Sequence, residues 1–194
     1  MILSSETQPI TIRQTPASAI ESMLPTLIER LQETVSGGVG LGFFAPLSYR
    51  MAREYWLSII PELVHGSRIL LTAHDDSGFV GCGQLALSQR QNSPHRAEVE
   101  KLFVATAARG KGVGTALMEG LHHTALAHGR TLILLNTRAD IPARQFYKSL
   151  GYREVGVIPG WTVSASGERY DHVTLYKELT YAGAARGAVA ASSV

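Results

Sequence analysis

Residues 99–118 read VEKLFVATAARGKGVGTALM, an apolar strand-like run followed by a glycine-rich turn and the start of a helical pattern. Glycine inside an element costs roughly 0.5–1 kcal/mol relative to alanine, so the glycines at this helix start indicate a demand on the backbone. Unpaired N–H groups and the dipole of that helix end favour an anion, and Arg109 and Lys111 add positive charge. Gly112 and Gly114 would let phosphate oxygens approach without a Cβ in the way. A plain glycine-rich turn with solvated cations is the alternative explanation.

Two well-known phosphate motifs do not match this turn. A dinucleotide fingerprint, G-x-G-x-x-G, requires a further glycine where the chain has Thr115 or Leu117. A Walker loop requires a Gly-Lys pair followed by Ser or Thr, whereas the only such pair is followed by Gly112. Any phosphate group here must therefore be bound through a different pattern.

The elements around the turn follow from periodicity and turn residues. Helical spacing predicts four helices, at 15–35 with Thr15 as N-cap, at 48–63, from 113 to about 129, and at 142–151. Alternation or apolar runs predict strands at 9–14, on both sides of a turn at 76–78, and at 96–104, 131–137, 153–157 and 172–179. The run at 131–137 is apolar throughout, as expected for a strand buried on both faces in a parallel pair. This order predicts one α/β (α+β) domain over 9–179: a mixed, mostly antiparallel sheet of about seven strands with a central parallel βαβ crossover. A mobile tail is expected at 180–194.

Composition excludes several classes of protein. A net charge of +2 without a basic block argues against nucleic acid as a partner. No stretch is long enough to span a bilayer, and no secretory leader is evident, so we expect a cytoplasmic protein without a membrane partner. The single cysteine, Cys82, lies in an apolar run and is expected to be an inert core residue. The histidines show no metal-binding spacing, and His122 is expected to face solvent on its helix; we predict no metal.

Two motifs resemble the GNAT superfamily of acyl-CoA N-acyltransferases. The first is R-x-x-G-x-G at 109–114, directly after a strand, and the second is DIPARQFYKSLGY at 140–152, which has Asp140 where the family usually has Asn. Further stretches, ETVSGG, RAEVEKL and PGW…GERYDH, resemble the tabtoxin-resistance type of acetyltransferase. Asn136 is a departure from that type, because an acid is expected at the end of this buried strand. The superfamily's element order agrees with the order predicted above.

The resemblance implies acetyl-CoA as the cofactor and assigns residues to it. The backbone of the glycine-rich turn would bind the diphosphate, and the preceding strand would pair with the pantetheine arm and offer an N–H to the oxyanion. The implied cofactor-binding residues are Leu102, Phe103, Val104, Arg109, Gly110, Lys111, Gly112, Val113, Gly114, Thr115, Asp140 and Ala143. Tyr147 matches the family position that protonates the departing thiolate, and packing of an amphipathic helix is its alternative role.

Glu98 and Glu100 lie two residues apart on one strand and are the candidates for the base. Period-two alternation puts them on one face, which it also assigns to Leu102 and Val104. The closer resemblance favours Glu98; the alternative is a pair of exposed acids bound by neighbouring cations. Asn136 is expected to orient the amine without taking its proton, or else to be a satisfied polar strand end. An aromatic wall for the acceptor is expected from Trp161 on a loop; an exposed tryptophan in a hairpin is the alternative.

These features predict an N-acetyltransferase that transfers acetyl directly to an amine of a small molecule, such as an amino acid, dipeptide toxin or antibiotic. An acyl-enzyme is disfavoured because the one thiol lies among apolar residues. The alternatives are a non-catalytic acyl-CoA-binding or sensing module and an enzyme that acetylates protein N-termini or lysines. A monomer and a homodimer are both compatible with the sequence.

Overall fold

The computed structural model describes residues 10–181, so residue 9 of the first predicted strand and most of the predicted tail (182–194) lie outside the described residues. The described strands are β1 (Thr11–Gln14), β2 (Arg68–Asp75), β3 (Gly78–Leu87), β4 (Arg96–Val104), β5 (Leu132–Arg138), β6 (Arg153–Val163) and β7 (Arg169–Glu178). The helices are α1 (Ile20–Ser36), α2 (Tyr49–Ser58), α3 (Ile60–His65), α4 (Val113–Ala127) and α5 (Ala143–Ser149). No helix within this part of the chain has both the length and the apolar character needed to cross a membrane.

All seven strands form one sheet in the order β1-β2-β3-β4-β5-β7-β6. Every neighbouring pair is antiparallel except β4 and β5, which are parallel and joined through α4. The predicted fold class, a mixed sheet with one parallel βαβ crossover, is therefore confirmed.

Helices cover the two faces of the sheet unequally. On one face, α4 and α5 pack over the centre of the sheet and bury a core that includes Leu117, Leu121, Ile133 and Leu175. On the other face, α1 and α2 cover only β2 to β4 and bury a core around Trp56 and the apolar face of α1, from Ile20 to Val35. The same face of β5, β7 and β6 carries no helix among residues 10–181 and presents Asn136 to solvent.

The helical regions are those predicted, but one helix begins later and another is divided in two. Thr15 does not cap α1; its buried hydroxyl bonds Thr72 at 2.9 Å, and a 3-10 turn leads into the helix at Ile20. The predicted helix at 48–63 is divided at Ile59 into α2 and α3, because Pro61 has no N–H to continue the hydrogen-bond ladder.

Two expectations about exposure, for β5 and His122, and one about the position of Trp161 were wrong. β5 is buried on one face only, since Asn136 and its face-mates are exposed or half-buried beyond the reach of α2. Trp161 lies within β6 rather than on a loop, because β6 extends to Val163; its ring stacks on His172 and is 51% exposed, which agrees with the alternative of an exposed tryptophan in a hairpin. His122 does not face solvent but is half-buried and bonds the Tyr152 hydroxyl at 2.9 Å.

A β-bulge interrupts β4 at Lys101. Gln84 pairs with Glu100 and Cys82 pairs with Phe103, so the single residue Gly83 of β3 faces two residues of β4. Lys101 itself has a φ of 49°, in the left-handed region. The extra residue reverses the alternation of side chains for the rest of the strand. It therefore determines on which face of the sheet the side chains of Leu102, Phe103 and Val104 lie.

Candidate active site

The glycine turn, residues 109–115, has the open backbone that an anion site requires. Gly110 and Gly112 have φ values of 75° and 81°, and a Cβ on either would meet no atom within 4 Å. Gly112 precedes the first residue of α4 and is followed by the free N–H groups of its first turn. Gly110, Gly112 and Thr115 line a depression of about 260 Å³ at this helix end. The described backbone therefore fits a diphosphate.

The third glycine of the turn has a different reason to be small. A Cβ on Gly114 would lie 3.3 Å from the Phe146 ring and 3.9 Å from a methyl of Val104. Gly114 thus lets α5 and the end of β4 pack closely against the first turn of α4. Phe146 also lines the depression, so the second motif contributes a wall to the site of the first.

The two cations of the turn lie on different sides of it. Arg109 donates from Nε to the Val104 carbonyl at 3.1 Å, which ties the turn to the end of β4. Lys111 lines a neighbouring depression of about 180 Å³ together with Arg30 and Asp75. Positive charge therefore flanks the open glycines from both directions.

A gap opens between the parallel strands β4 and β5. Their ladder contains only the pairs Arg96–Leu132, Ala97–Ile133 and Glu98–Leu134. Beyond Glu98, the described part of β4 has no ladder partner on its β5 side, while β3 pairs with its other side. The backbone of 99–104 thus has one free edge, and this edge leads from Glu98 to the glycine turn.

The bulge places the side chains along this edge differently from the prediction. Leu102 and Val104 pack on the α4 side, whereas Phe103 joins the core beneath α1 and α2. The expectation that Glu98, Glu100, Leu102 and Val104 share one face was wrong, because the extra residue at Lys101 reverses the alternation. The two glutamates instead share a face with Phe103.

Glu98, Asn136 and Thr174 form a hydrogen-bonded row across β4, β5 and β7. Asn136 donates from Nδ2 to Oε1 of Glu98 at 3.0 Å, and Thr174 donates to Oδ1 of Asn136 at 2.7 Å. The carboxylate of Glu98 can only accept hydrogen bonds, so the NH₂ group of the Asn136 amide must be the end that faces it. Thr174 has no signal in the sequence, because its proximity to Asn136 depends on the pairing of β5 with β7.

Glu100 lies in a different environment from Glu98. Its carboxylate accepts from Arg68 at 2.7 Å, and Arg68 also bonds Glu62 at 2.8 Å and Gln84 at 2.8 Å. Glu100 is therefore part of an ion-paired cluster with β2 and α3. The structure thus separates the two candidate bases.

Tyr147 lies in the core beneath α5, against the rings of Phe146 and Tyr152. Burial raises the pKa of its hydroxyl to about 12. The hydroxyl is protonated at neutral pH and has no hydrogen-bond partner among the described residues. It is available as a donor.

Two further residues assigned to the cofactor, Asp140 and Ala143, lie just before α5 and at its first position. Ala143 is its first residue and packs against the core on the α4 side. Asp140 is exposed and bonds Arg138 at 2.9 Å, and Arg138 in turn covers the Tyr170 ring at 3.7 Å. The ion pair with Arg138 lowers the pKa of Asp140. The Asp140 carboxylate is therefore bound by Arg138 and is not directed at the glycine turn.

Nothing in the described residues suggests a metal or a thiol nucleophile. No group of three or more histidine, cysteine or acidic side chains gathers in the part of the chain from 10 to 181. Cys82 is fully buried, and burial raises the pKa of its thiol. A buried thiol of raised pKa is a poor nucleophile.

Comparison with known proteins gives a consistent result. A model of the acetyltransferase (GNAT) domain matches residues 66–154, from the start of β2 into β6. The chain is 30% identical over 117 residues to an uncharacterized N-acetyltransferase encoded in the hisH-hisA intergenic region of Azospirillum brasilense. That alignment covers 59% of this chain and 68% of the Azospirillum protein.

Two further comparisons are informative about length and fold. The chain is 35% identical over 85 residues to the uncharacterized N-acetyltransferase MJ1207 of Methanocaldococcus jannaschii, covering 43% of this chain but only 37% of that longer protein. The structure of yncA from Salmonella typhimurium with its cofactor acetyl-CoA matches with a TM-score of 0.68 at 15% identity. This match covers 93% of the chain and 99% of yncA, and it concerns the fold.

Proposed function

Since this chain belongs to the GNAT family of acetyltransferases, we propose that it transfers an acetyl group from acetyl-CoA directly to an amine of a small molecule. The observation that carries the proposal is the continuity of one strand. The free edge of β4 runs from the carboxylate of Glu98 to the open glycines of the turn. A carboxylate, a backbone edge and an anion site are thus arranged in one line.

Acetyl-CoA, when bound, supplies an activated acetyl thioester. The N–H groups around Gly110 and Gly112 would hold its diphosphate, helped by Arg109 and Lys111. Backbone groups of Leu102, Phe103 and Val104 on the free edge of β4 would align the arm, and an N–H there would stabilise the oxyanion. Ala143 and Val113 lie at the helix starts that frame this site.

Glu98 is the proposed acceptor of the amine's proton. Its Oε1 accepts from Asn136, and its other oxygen has no hydrogen-bond partner among the described residues. That oxygen can accept from an incoming ammonium, while Asn136 holds the carboxylate in place. Asn136 itself cannot take the proton, because a neutral amide is not a base at ordinary pH.

The pKa of the amine determines what fraction of it is already neutral and so how strongly the reaction depends on Glu98 as a base. An α-amino group of pKa about 7.8 is roughly one-tenth neutral at pH 7, whereas a lysine of pKa about 10.4 is neutral in under one molecule per thousand. One carboxylate in a half-exposed position suits the more acidic amine. The proposed acceptor is therefore an α-amine or a similarly weak amine.

Tyr147 is the proposed hydrogen-bond donor to the departing thiolate. With its pKa raised to about 12, full proton transfer to a thiolate of pKa about 8.5 would be uphill by roughly 5 kcal/mol. Donation of a hydrogen bond carries no such cost. We therefore assign Tyr147 a stabilising rather than an obligatory role.

A second candidate function is acetylation of protein N-termini. It is favoured by the open face of β5, β7 and β6, where Asn136 is exposed and Trp161 is 51% exposed. A panel that includes peptides beside small amines separates the two functions, because only a protein-directed enzyme should prefer the peptides.

The proposal is tested by thiol release from acetyl-CoA over amino acids, dipeptides, polyamines, antibiotics and peptides. Release with at least one small amine, lost in Glu98→Gln, is the expected result. Calorimetric binding of coenzyme A without turnover of any amine would overturn the enzyme proposal in favour of an acyl-CoA-binding module. Absence of any binding heat would overturn the anion site itself.

A further inference from the structure

The bulge residue Lys101 has its ammonium group in an aromatic pocket formed by Phe43, Tyr55 and Gly42, on the face of the sheet that carries Glu98. Its Nζ lies 5.6 Å from the centre of the Phe43 ring and 5.4 Å from that of Tyr55. A Cβ on Gly42 would lie 3.5 Å from the same nitrogen, so the segment between α1 and α2 passes directly over it. Burial lowers the pKa of Lys101.

This cation has no carboxylate partner within residues 10–181. The neighbouring carboxylate of Glu100 is bound by Arg68 at 2.7 Å, and Arg68 binds Glu62 as well. Lys101 makes no ion pair and no side-chain hydrogen bond with the described residues. Two aromatic faces offset only part of the cost of removing an ammonium from water.

A second donor without an acceptor lies next to the same pocket. Gln84 is fully buried, and its Oε1 accepts from the Tyr55 hydroxyl at 2.9 Å and from Arg68 at 2.8 Å. Arg68 has only donors, so the orientation of the amide is fixed and Nε2 must point elsewhere. That Nε2 is buried and has no hydrogen-bond partner in the part of the chain that the structure describes. A buried donor without an acceptor is costly unless a ligand supplies one.

Both donor groups contact Tyr55, one at its ring and the other through its hydroxyl. The bulge also turns Lys101 toward the helices that cover the face of Glu98. Three residues of an extended strand span about 10 Å, and the bulge shortens this span, so Lys101 lies no farther than that along β4 from Glu98. Around Tyr55 there are thus one positive charge, on Lys101, and one buried N–H group without an acceptor, on Gln84, three residues or fewer along β4 or one strand away from the proposed base.

We propose that Lys101 binds a carboxylate of the acceptor, so that the substrate class is a small molecule carrying both an amine and a carboxylate, such as an amino acid or a dipeptide. This inference rests on the proposed function. It excludes polyamines, which have no carboxylate. It also excludes lysines within proteins and protein N-termini, in which the main-chain carboxyl groups of both the amine-bearing residue and the next residue are consumed in peptide bonds.

The test compares each dipeptide with its own C-terminal carboxamide as acceptor, because the two have similar amine pKa values, using acetyl-CoA and thiol release. The wild type should favour the free acid in kcat/KM by at least about 10-fold, the ordinary effect of one charge-assisted hydrogen bond. Lys101→Met should remove this preference by raising the acceptor KM and leave the KM for acetyl-CoA unchanged. Lys101→Arg keeps the charge and should retain a preference, and Lys148→Met, at an exposed lysine of α5, is the matched control.

The possible failures are distinguishable. If amides and acids are acetylated equally by the wild type, or if Lys101→Met keeps the preference, the assignment of Lys101 is overturned and the proposed function stands. If no amine is acetylated, the proposed function and this inference fall together. Melting curves of each variant identify a loss of activity that arises from unfolding.

Discussion

Asn136 of β5 donates a 3.0 Å hydrogen bond to Glu98 of β4 just beyond the last pair of the parallel ladder. The bond spans the point at which the two strands begin to separate. Thr174 completes the row from β7, so a side-chain network replaces the missing backbone ladder. Glu98, the proposed base, is thereby held at the opening of the gap and has no ion-pair partner within residues 10–181, unlike Glu100, which is bound by Arg68.

Glu98→Gln tests the base directly. A positioned general base contributes typically 10²–10⁴-fold, and we expect a loss near the lower end with an α-amine, which is partly neutral without help. Raising the pH should restore part of the lost kcat/KM, because more of the free amine is then neutral. Initial rates from pH 6 to 9 measure this, with Glu178→Gln at the exposed end of β7 as control. A variant with wild-type rates at pH 7 would remove Glu98 from catalysis.

Tyr147→Phe should lower kcat by roughly 10–100-fold and leave the KM for acetyl-CoA nearly unchanged. The hydroxyl has a pKa raised to about 12 by burial, so it stays protonated and should give no inflection in the rate profile below pH 10. Steady-state kinetics check both points, and Tyr49→Phe, at an exposed tyrosine of α2, is the matched control. An unchanged kcat would leave Tyr147 with core packing alone.

The glycine turn and the parallel pair were predictable because each has a strong local signature. Open glycines at a helix start and an apolar run that forms β5 are both visible in one sequence. The contact of Glu98 with Asn136 was not predictable. It depends on the register of β4 against β5, which no local pattern specifies. The same holds for Thr174.

The bulge at Lys101 is the main reason why the site could not be assembled from periodicity. A lysine with a φ of 49° has no signature in the sequence, and a single extra residue moves every later side chain to the other face. A glycine at position 83, opposite the bulge, is the feature of the sequence that relates to it. The structure gives the reason: a Cβ on Gly83 would lie 2.9 Å from Leu102 and from Leu121. By contrast, the division of the second helix had a visible cause in Pro61.

Gly112→Ala should weaken the binding of coenzyme A by roughly 10-fold or more, because a Cβ would enter the space left for the anion. At a φ of 81° it should also cost about 1–2 kcal/mol of stability. Gly66→Ala separates the two effects, since Gly66 has a φ of 70° after α3, away from the turn. Calorimetry should show weakened binding in the first variant only. Equal affinities in both would argue against a diphosphate on this turn.

His122 should make the fold sensitive to acid. Burial lowers its pKa to about 4, well below the value of about 6.5 in an unfolded chain, so the neutral ring is the folded form. The stability linked to this group is fully present above pH 6.5 and is lost as the pH falls toward 4, by up to roughly 2 kcal/mol at pH 5. Urea unfolding at pH 7 and pH 5 measures the loss, which should shrink in His122→Gln and persist in His123→Gln, because His123 is exposed on the same helix. If both variants lose the same free energy as the wild type between the two pH values, the acid sensitivity arises elsewhere and the hydrogen bond to Tyr152 does not depend on a neutral ring.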